Sequence, residues 1–336
     1  MINGRQSVRR AVSQKGVFSM KAGEKVSDSF ERSRRFYEEQ VAGMIRDLFS
    51  QWEDRIAVGL AGEGSDCFGY DDAISRDHDF GTGVCLWITE EDMEVFGRPL
   101  SIAYNELVDG QPGSNLSDRM RERRGVMTIG GFYSNVLGAR VDAEGCRMSA
   151  SDWLRVDQSC LATAVNGTVF RDDLGKFTAF RNLLLSYYPD PVWRRRIAEE
   201  CHKFSASLQV NYARCMARKD LVAAEMCRAR GIEAAMELFF LLKREYPPYY
   251  KWTYHRLAQI DGGREFSKLL KKLAASNCDP EAWESRGDWI NQMNRNDKVV
   301  RYAEELGSCL AFMFKDAGLV KDWYPYLETY VNLVLP

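Results

Sequence analysis

The amino-acid sequence predicts a mixed α/β domain followed by an all-α helical bundle. Two patterns carry this expectation. In the first half, short apolar runs of strand length alternate with amphipathic helical stretches. After about Ser149 the apolar residues recur at spacings of three and four, punctuated by Pro189, Pro191, Pro247, Pro248 and Pro280. The expected divisions are a flexible arm over residues 1–26, the α/β domain over 27–148 and the helical domain over 149–336. At 336 residues and 45% hydrophobic content, the chain is long enough to bury the cores of two domains.

The elements follow in order. From Asp28 to Trp52, Phe30, Phe36, Val41, Ile45, Phe49 and their neighbours lie on one helical face, with Asp28 and Glu31 as a capping pair. "RIAVGLAG", from Arg55, is apolar, short and closed by glycine, as a buried strand is. "HDFGTGVCLWI" predicts a second strand from His78 to Ile88. "TEEDMEVFGRPLSIAYNEL" predicts a helix capped by Thr89, with acidic residues in its first turn. A Gly/Pro/Asn-rich loop leads to a strand over Val126–Ile129 and a short helix.

A net charge of −2 argues against a protein that holds nucleic acid by bulk electrostatics, since no general excess of Lys and Arg exists to displace counterions. The nine cysteines are scattered and form no C-x-x-C pair, so they read as the reduced thiols of a cytoplasmic protein. No run approaches the length of a membrane span, and the basic arm lacks the apolar core of a signal peptide.

Between the first two strands lies "LAGEGSDCFGYDDAISRDHDFGTG", with six acidic groups and little bulk. If His78–Ile88 is extended, Asp77 and Asp79 share a face about 7 Å apart, and His78 points away as a structural hydrogen-bonder. Two carboxylates so placed suit Mg²⁺, which takes one or two protein oxygens and leaves the rest to water and phosphates. Upstream, Gly64 and Ser65 follow a buried strand, where small residues let backbone amides approach a phosphate. Asp66, Asp71 and Asp72 read as helix-start and surface residues. Arg76 fits either a phosphate or a structural ion pair.

An apolar strand, Gly64-Ser65, eleven residues and then Asp77-His78-Asp79-Phe80 resemble the signature of the nucleotidyltransferase superfamily that shares its palm with DNA polymerase β. With "SDWLRVDQSCLATAVNGTVFRDDLGKFTAFRNLLLSYYPDPVWRRRIA" and "PPYYKWTYHRL", the stretch also resembles a bacterial nucleotidyltransferase-like group of unknown function. That group's layout is similar to the aminoglycoside and lincosamide nucleotidyltransferases: a mixed-sheet catalytic domain followed by a helical one. The resemblance implies that Asp77 and Asp79 are catalytic and hold Mg²⁺, and that Gly64 and Ser65 bind the β- and γ-phosphates of ATP or another nucleoside triphosphate. A hydroxyl of a small molecule or protein would then receive the nucleoside monophosphate.

One part of that pattern is missing. The superfamily often supplies a third carboxylate from a later strand, and "GVMTI" has none; Glu122 before it and Asp142 after the next helix are weak candidates. A nucleotide-binding protein without transfer activity is the alternative. In the helical half, Arg181 and Lys251 stand among aromatics as candidate binders of the triphosphate or acceptor. The plainer account leaves both cations on a solvated face. Tyr249, Tyr250, Trp252 and Tyr254 read as core or interdomain packing rather than a base-stacking platform.

Overall fold

A computed structural model of the protein describes residues 28–70, 72, 74, 82–110, 118–283 and 294–335. The first helical stretch is divided. α1 (Asp28–Phe36) and α2 (Ala42–Leu48) are joined by a π-helical turn over Tyr37–Val41. Phe36 and Val41 are five residues apart and both buried, and the wider turn keeps them on one face. The predicted helix to Trp52 therefore ends at Leu48, and a 3₁₀ segment covers Ser50–Arg55.

β1 (Ala57–Leu60) and β2 (Cys85–Ile88) pair antiparallel, Val58 facing Leu86. α3 (Glu90–Asp92) begins with the predicted cap, the Thr89 hydroxyl accepting from the Asp92 amide at 3.1 Å, and a π-helical turn leads into α4 (Arg98–Asp109). After α5 (Asp118–Arg123), β3 (Gly125–Thr128) pairs parallel with β2, and α6 (Ile129–Leu137) follows, as the sequence predicts.

The second strand is shorter than expected. It begins at Cys85 rather than His78, and residues 82–84 lie outside it. The reason is Tyr104 of α4, whose buried hydroxyl accepts from the Val84 amide at 2.9 Å and donates to the Val84 carbonyl at 3.0 Å. The Val84 carbonyl still accepts from the Gly125 amide of β3 at 2.9 Å, but the Val84 amide is the group a longer ladder would use. Tyr104→Phe is expected to lower the unfolding free energy by about 1–3 kcal/mol, because it strands the buried Val84 amide, while the Val84 carbonyl keeps the Gly125 amide. Urea unfolding measures this; an unshifted midpoint would show that the Val84 amide has another partner.

The second half contains α7 (Ala150–Arg155), α8 (Gln158–Val165), α9 (Lys176–Leu185), α10 (Asp190–Phe204), α11 (Tyr212–Ala217), α12 (Leu221–Lys243), α13 (Tyr250–Gln259), α14 (Gly263–Ala274) and α15 (Lys298–Asp316). It is not wholly helical, as the sequence led us to expect. Between α8 and α9, β4 (Thr168–Arg171) pairs antiparallel with β1, giving the sheet order β3-β2-β1-β4. "TVFR" is β-branched and aromatic, but four residues are too few to show a period against the flanking helices.

Both central strands are buried on both faces, which explains their unbroken apolar runs. Val58, Leu86 and Ile88 pack against Phe36, Ile45, Phe96 and Leu100 of the first helices. On the opposite face, Ala57, Cys85 and Trp87 join Phe132, Phe177 and the interior of the helical half in one continuous core. Trp87 stacks on Phe177 at 3.8 Å between ring centroids. The helices after Ser149 thus share their interior with the sheet.

Candidate active site

β1 ends in a turn that only glycine adopts without strain. Gly62 and Gly64 have φ of +104° and +121°, and a Cβ on Gly64 would meet Asp66 Oδ1 at 2.3 Å. The turn is clasped from the second half of the chain. Asn166, fully buried just beyond α8, accepts from the Gly62 amide at 2.9 Å and donates to the Gly62 carbonyl at 2.8 Å. Among the described residues, nothing accepts a hydrogen bond from the amides of Gly64 and Ser65. Open amides beside left-handed glycines are the donor set of an anion-binding concavity.

The Ser65 hydroxyl is already engaged. It lies 2.8 Å from the Tyr249 hydroxyl and accepts from Trp252 Nε1 at 3.0 Å. Phe68 meets Tyr249 edge-on, and Tyr70 contacts both Trp252 and His255, so an aromatic cluster seats α13 over the segment that follows the turn. Tyr249 and Trp252 are therefore packing residues between the halves, as the sequence suggests; Tyr250 and Tyr254 are largely exposed.

Strand direction brings further residues to the same edge. Because β2 and β3 run opposite to β1, the end of β1 and the starts of β2 and β3 lie together. Here Arg123 pairs with Glu63 at 2.9 Å, and the buried Arg124 pairs with Asp66 at 2.8 Å. Asp66 is a helix-start residue whose carboxylate also accepts from the Cys67 amide at 3.0 Å, but it is half-buried rather than on the surface. Burial pushes the Cys67 and Cys85 thiols up, and the Arg124 charge only partly offsets this, so both stay protonated.

A cavity of about 210 Å³ opens at this edge, lined by Gly62, Glu63, Glu122, Arg123, Met127 and Asn135 among others. β3 itself carries no carboxylate. Glu122, immediately upstream, occupies the cavity wall with Glu63. Asp142, the other weak candidate, is exposed and builds a turn, accepting from the Gly145 amide at 2.8 Å and bridging to Arg147.

Arg181 donates to the Asn166 carbonyl at 2.7 Å and the Gly167 carbonyl at 3.4 Å, so it braces the residue that clasps the turn. Burial lowers its pKa, with Tyr133 only partly opposing this. Lys251 is exposed at the start of α13, beside Trp252. Asp77 and Asp79, with Arg76 and His78, lie outside the described residues, which resume at residue 82. Among the described residues, no group of three His, Cys, Asp or Glu side chains is arranged to hold a metal ion. Asn166 was not singled out in the sequence, because a lone Asn carries no periodic signal.

No curated protein and no solved structure matches the chain. Residues 153–253, the span that contributes Asn166, Arg181, Tyr249 and Trp252 but not the turn they enclose, match a family described as a domain of unknown function (DUF4037).

Proposed function

We propose that the protein is an Mg²⁺-dependent nucleotidyltransferase that moves a nucleoside monophosphate, AMP from ATP, onto a hydroxyl of a small molecule or protein. The observation that carries this reading is the glycine turn, held at its base by Asn166 and leaving the Gly64 and Ser65 amides open at a sheet edge. The matched family is nucleotidyltransferase-like, which supports the same reading without naming a substrate.

In this reading the two open amides bind phosphate oxygens of the triphosphate. The Ser65 hydroxyl has two partners already, so the amide is its principal donor. Asp77 and Asp79 would hold Mg²⁺, as oxygen donors of the kind this ion prefers. When bound, the ion neutralises charge on the phosphate under attack. Glu122, from the wall of the adjacent cavity, is the best-placed described carboxylate to accept the proton of the attacking hydroxyl. Asn166 and, behind it, Arg181 keep the amides aimed.

The test is incubation with Mg²⁺, each α-labelled nucleoside triphosphate and a cell extract. Labelled acceptor with pyrophosphate release supports the transferase. A second reading, nucleotide binding without transfer, is favoured by the absence of a carboxylate on β3. It would appear as saturable triphosphate binding with neither label transfer nor pyrophosphate.

A further inference from the structure

A second cavity lies in the helical half, away from the glycine turn. Its volume is about 440 Å³, and its walls include Asp157, Gln158, Glu200, Lys203, Glu233 and Glu237. Gln158 and Asn166 flank opposite ends of α8, an eight-residue helix about 12 Å long, so the cavity and the turn are separated by that length.

Most charges around this cavity are committed. Lys203 pairs with Glu200 at 2.5 Å. Asp157 caps α8, accepting from the Ser159 amide at 2.8 Å. Arg196 donates to the carbonyls of Trp153, Leu154 and Val156, closing the end of α7. Glu237 has no cation; its carboxylate accepts only from Gln158 Nε2 among the described residues. Gln158 is 6% exposed, and its Oε1 has no hydrogen-bond partner. The buried Tyr188 hydroxyl, within electrostatic reach of Glu237, also lacks one.

A buried acceptor left open in a wall rich in carboxylates is costly unless something donates to it. The acceptors open toward the cavity are Gln158 Oε1, Glu237 and, toward solvent, Glu233; the open donors are Arg196 Nε, which is buried without a partner, and the exposed Arg230. An ammonium has three donors, no acceptor and a compensating charge. We propose that this cavity is a ligand site, separate from the glycine turn, for a small organic cation bearing a primary ammonium group, seated between Gln158 Oε1 and the Glu237 carboxylate.

Proton release is part of this binding. Burial first, then the charges of Glu200, Asp157 and Glu233, push Glu237 up to about 8, and Lys203 opposes them weakly. Arg196, Arg230, Tyr187 and Tyr188 complete its surroundings. At pH 7 the carboxyl is therefore mostly neutral. An arriving ammonium favours the ionised form, so Glu237 gives its proton to the buffer. Affinity then rises with pH up to about 8, by roughly tenfold per unit below that value.

Calorimetric titration of the full chain with putrescine, spermidine and methylammonium tests this, in two pH 7 buffers of different ionisation enthalpy. One saturable amine site with close to one proton released is expected, and succinate should not bind. Glu237→Gln should weaken binding at least tenfold at pH 8 and abolish proton release. The exposed Glu233→Gln should weaken binding more modestly and guards against a folding failure in the first variant. No saturable binding of any amine up to ~10 mM, or equal binding by wild type and both variants, overturns the proposal. Because triphosphate is absent throughout, failure here leaves the transferase reading untouched, and failure of that reading leaves this one.

Discussion

Asp77→Asn and Asp79→Asn are each expected to reduce nucleotide transfer by about 10²–10³-fold, the usual effect of removing one principal electrostatic contact from a charged transition state. The amide keeps the shape of the carboxylate and removes its charge. A hard divalent cation loses much of its attraction to such a ligand. Pyrophosphate release in the presence of Mg²⁺ is the measurement, with circular dichroism to show that the variants fold. The two substitutions together should cost little more than either alone, because residues acting as a unit are not additive. Full transfer by both single variants would remove the metal pair from the mechanism and with it the transferase reading.

Asn166→Ala is expected to cost about 2–4 kcal/mol in stability and to weaken triphosphate binding. The Asn166 side chain satisfies both the amide and the carbonyl of buried Gly62. Its removal leaves two buried backbone groups unpaired, each a penalty of about 1–3 kcal/mol. Asn166→Asp separates the contributions. It retains an acceptor for the Gly62 amide, loses the donor to the carbonyl and adds a buried negative charge, so it should be at least as damaging. Urea unfolding and nucleotide titration read the two effects. If Asn166→Ala unfolds like wild type, or binds nucleotide equally well, the turn is set by its glycines alone.

What the sequence determined by itself was local. The apolar periodicity of residues 28–48, the buried run at Ala57–Leu60, the Thr89 cap and the strand-to-helix passage at Gly125–Leu137 each follow from residues a few positions apart, which is the range over which an element sets its own period. Gly64 and Ser65 were legible for the same reason, as small residues after a strand that let backbone amides approach a phosphate; the positive φ that Gly62 and Gly64 take in the turn came with the structure.

Only the tertiary structure decided what closes on that turn. Asn166 reaches Gly62 across 104 positions, Tyr249 reaches Ser65 across 184, and β4 extends the sheet from within a helical stretch. A lone Asn, a lone Tyr and a four-residue strand leave no periodic trace, because each is selected by a partner distant in the chain. The early end of β2 has the same origin: Tyr104, twenty positions away, takes the Val84 amide that would have carried the ladder further.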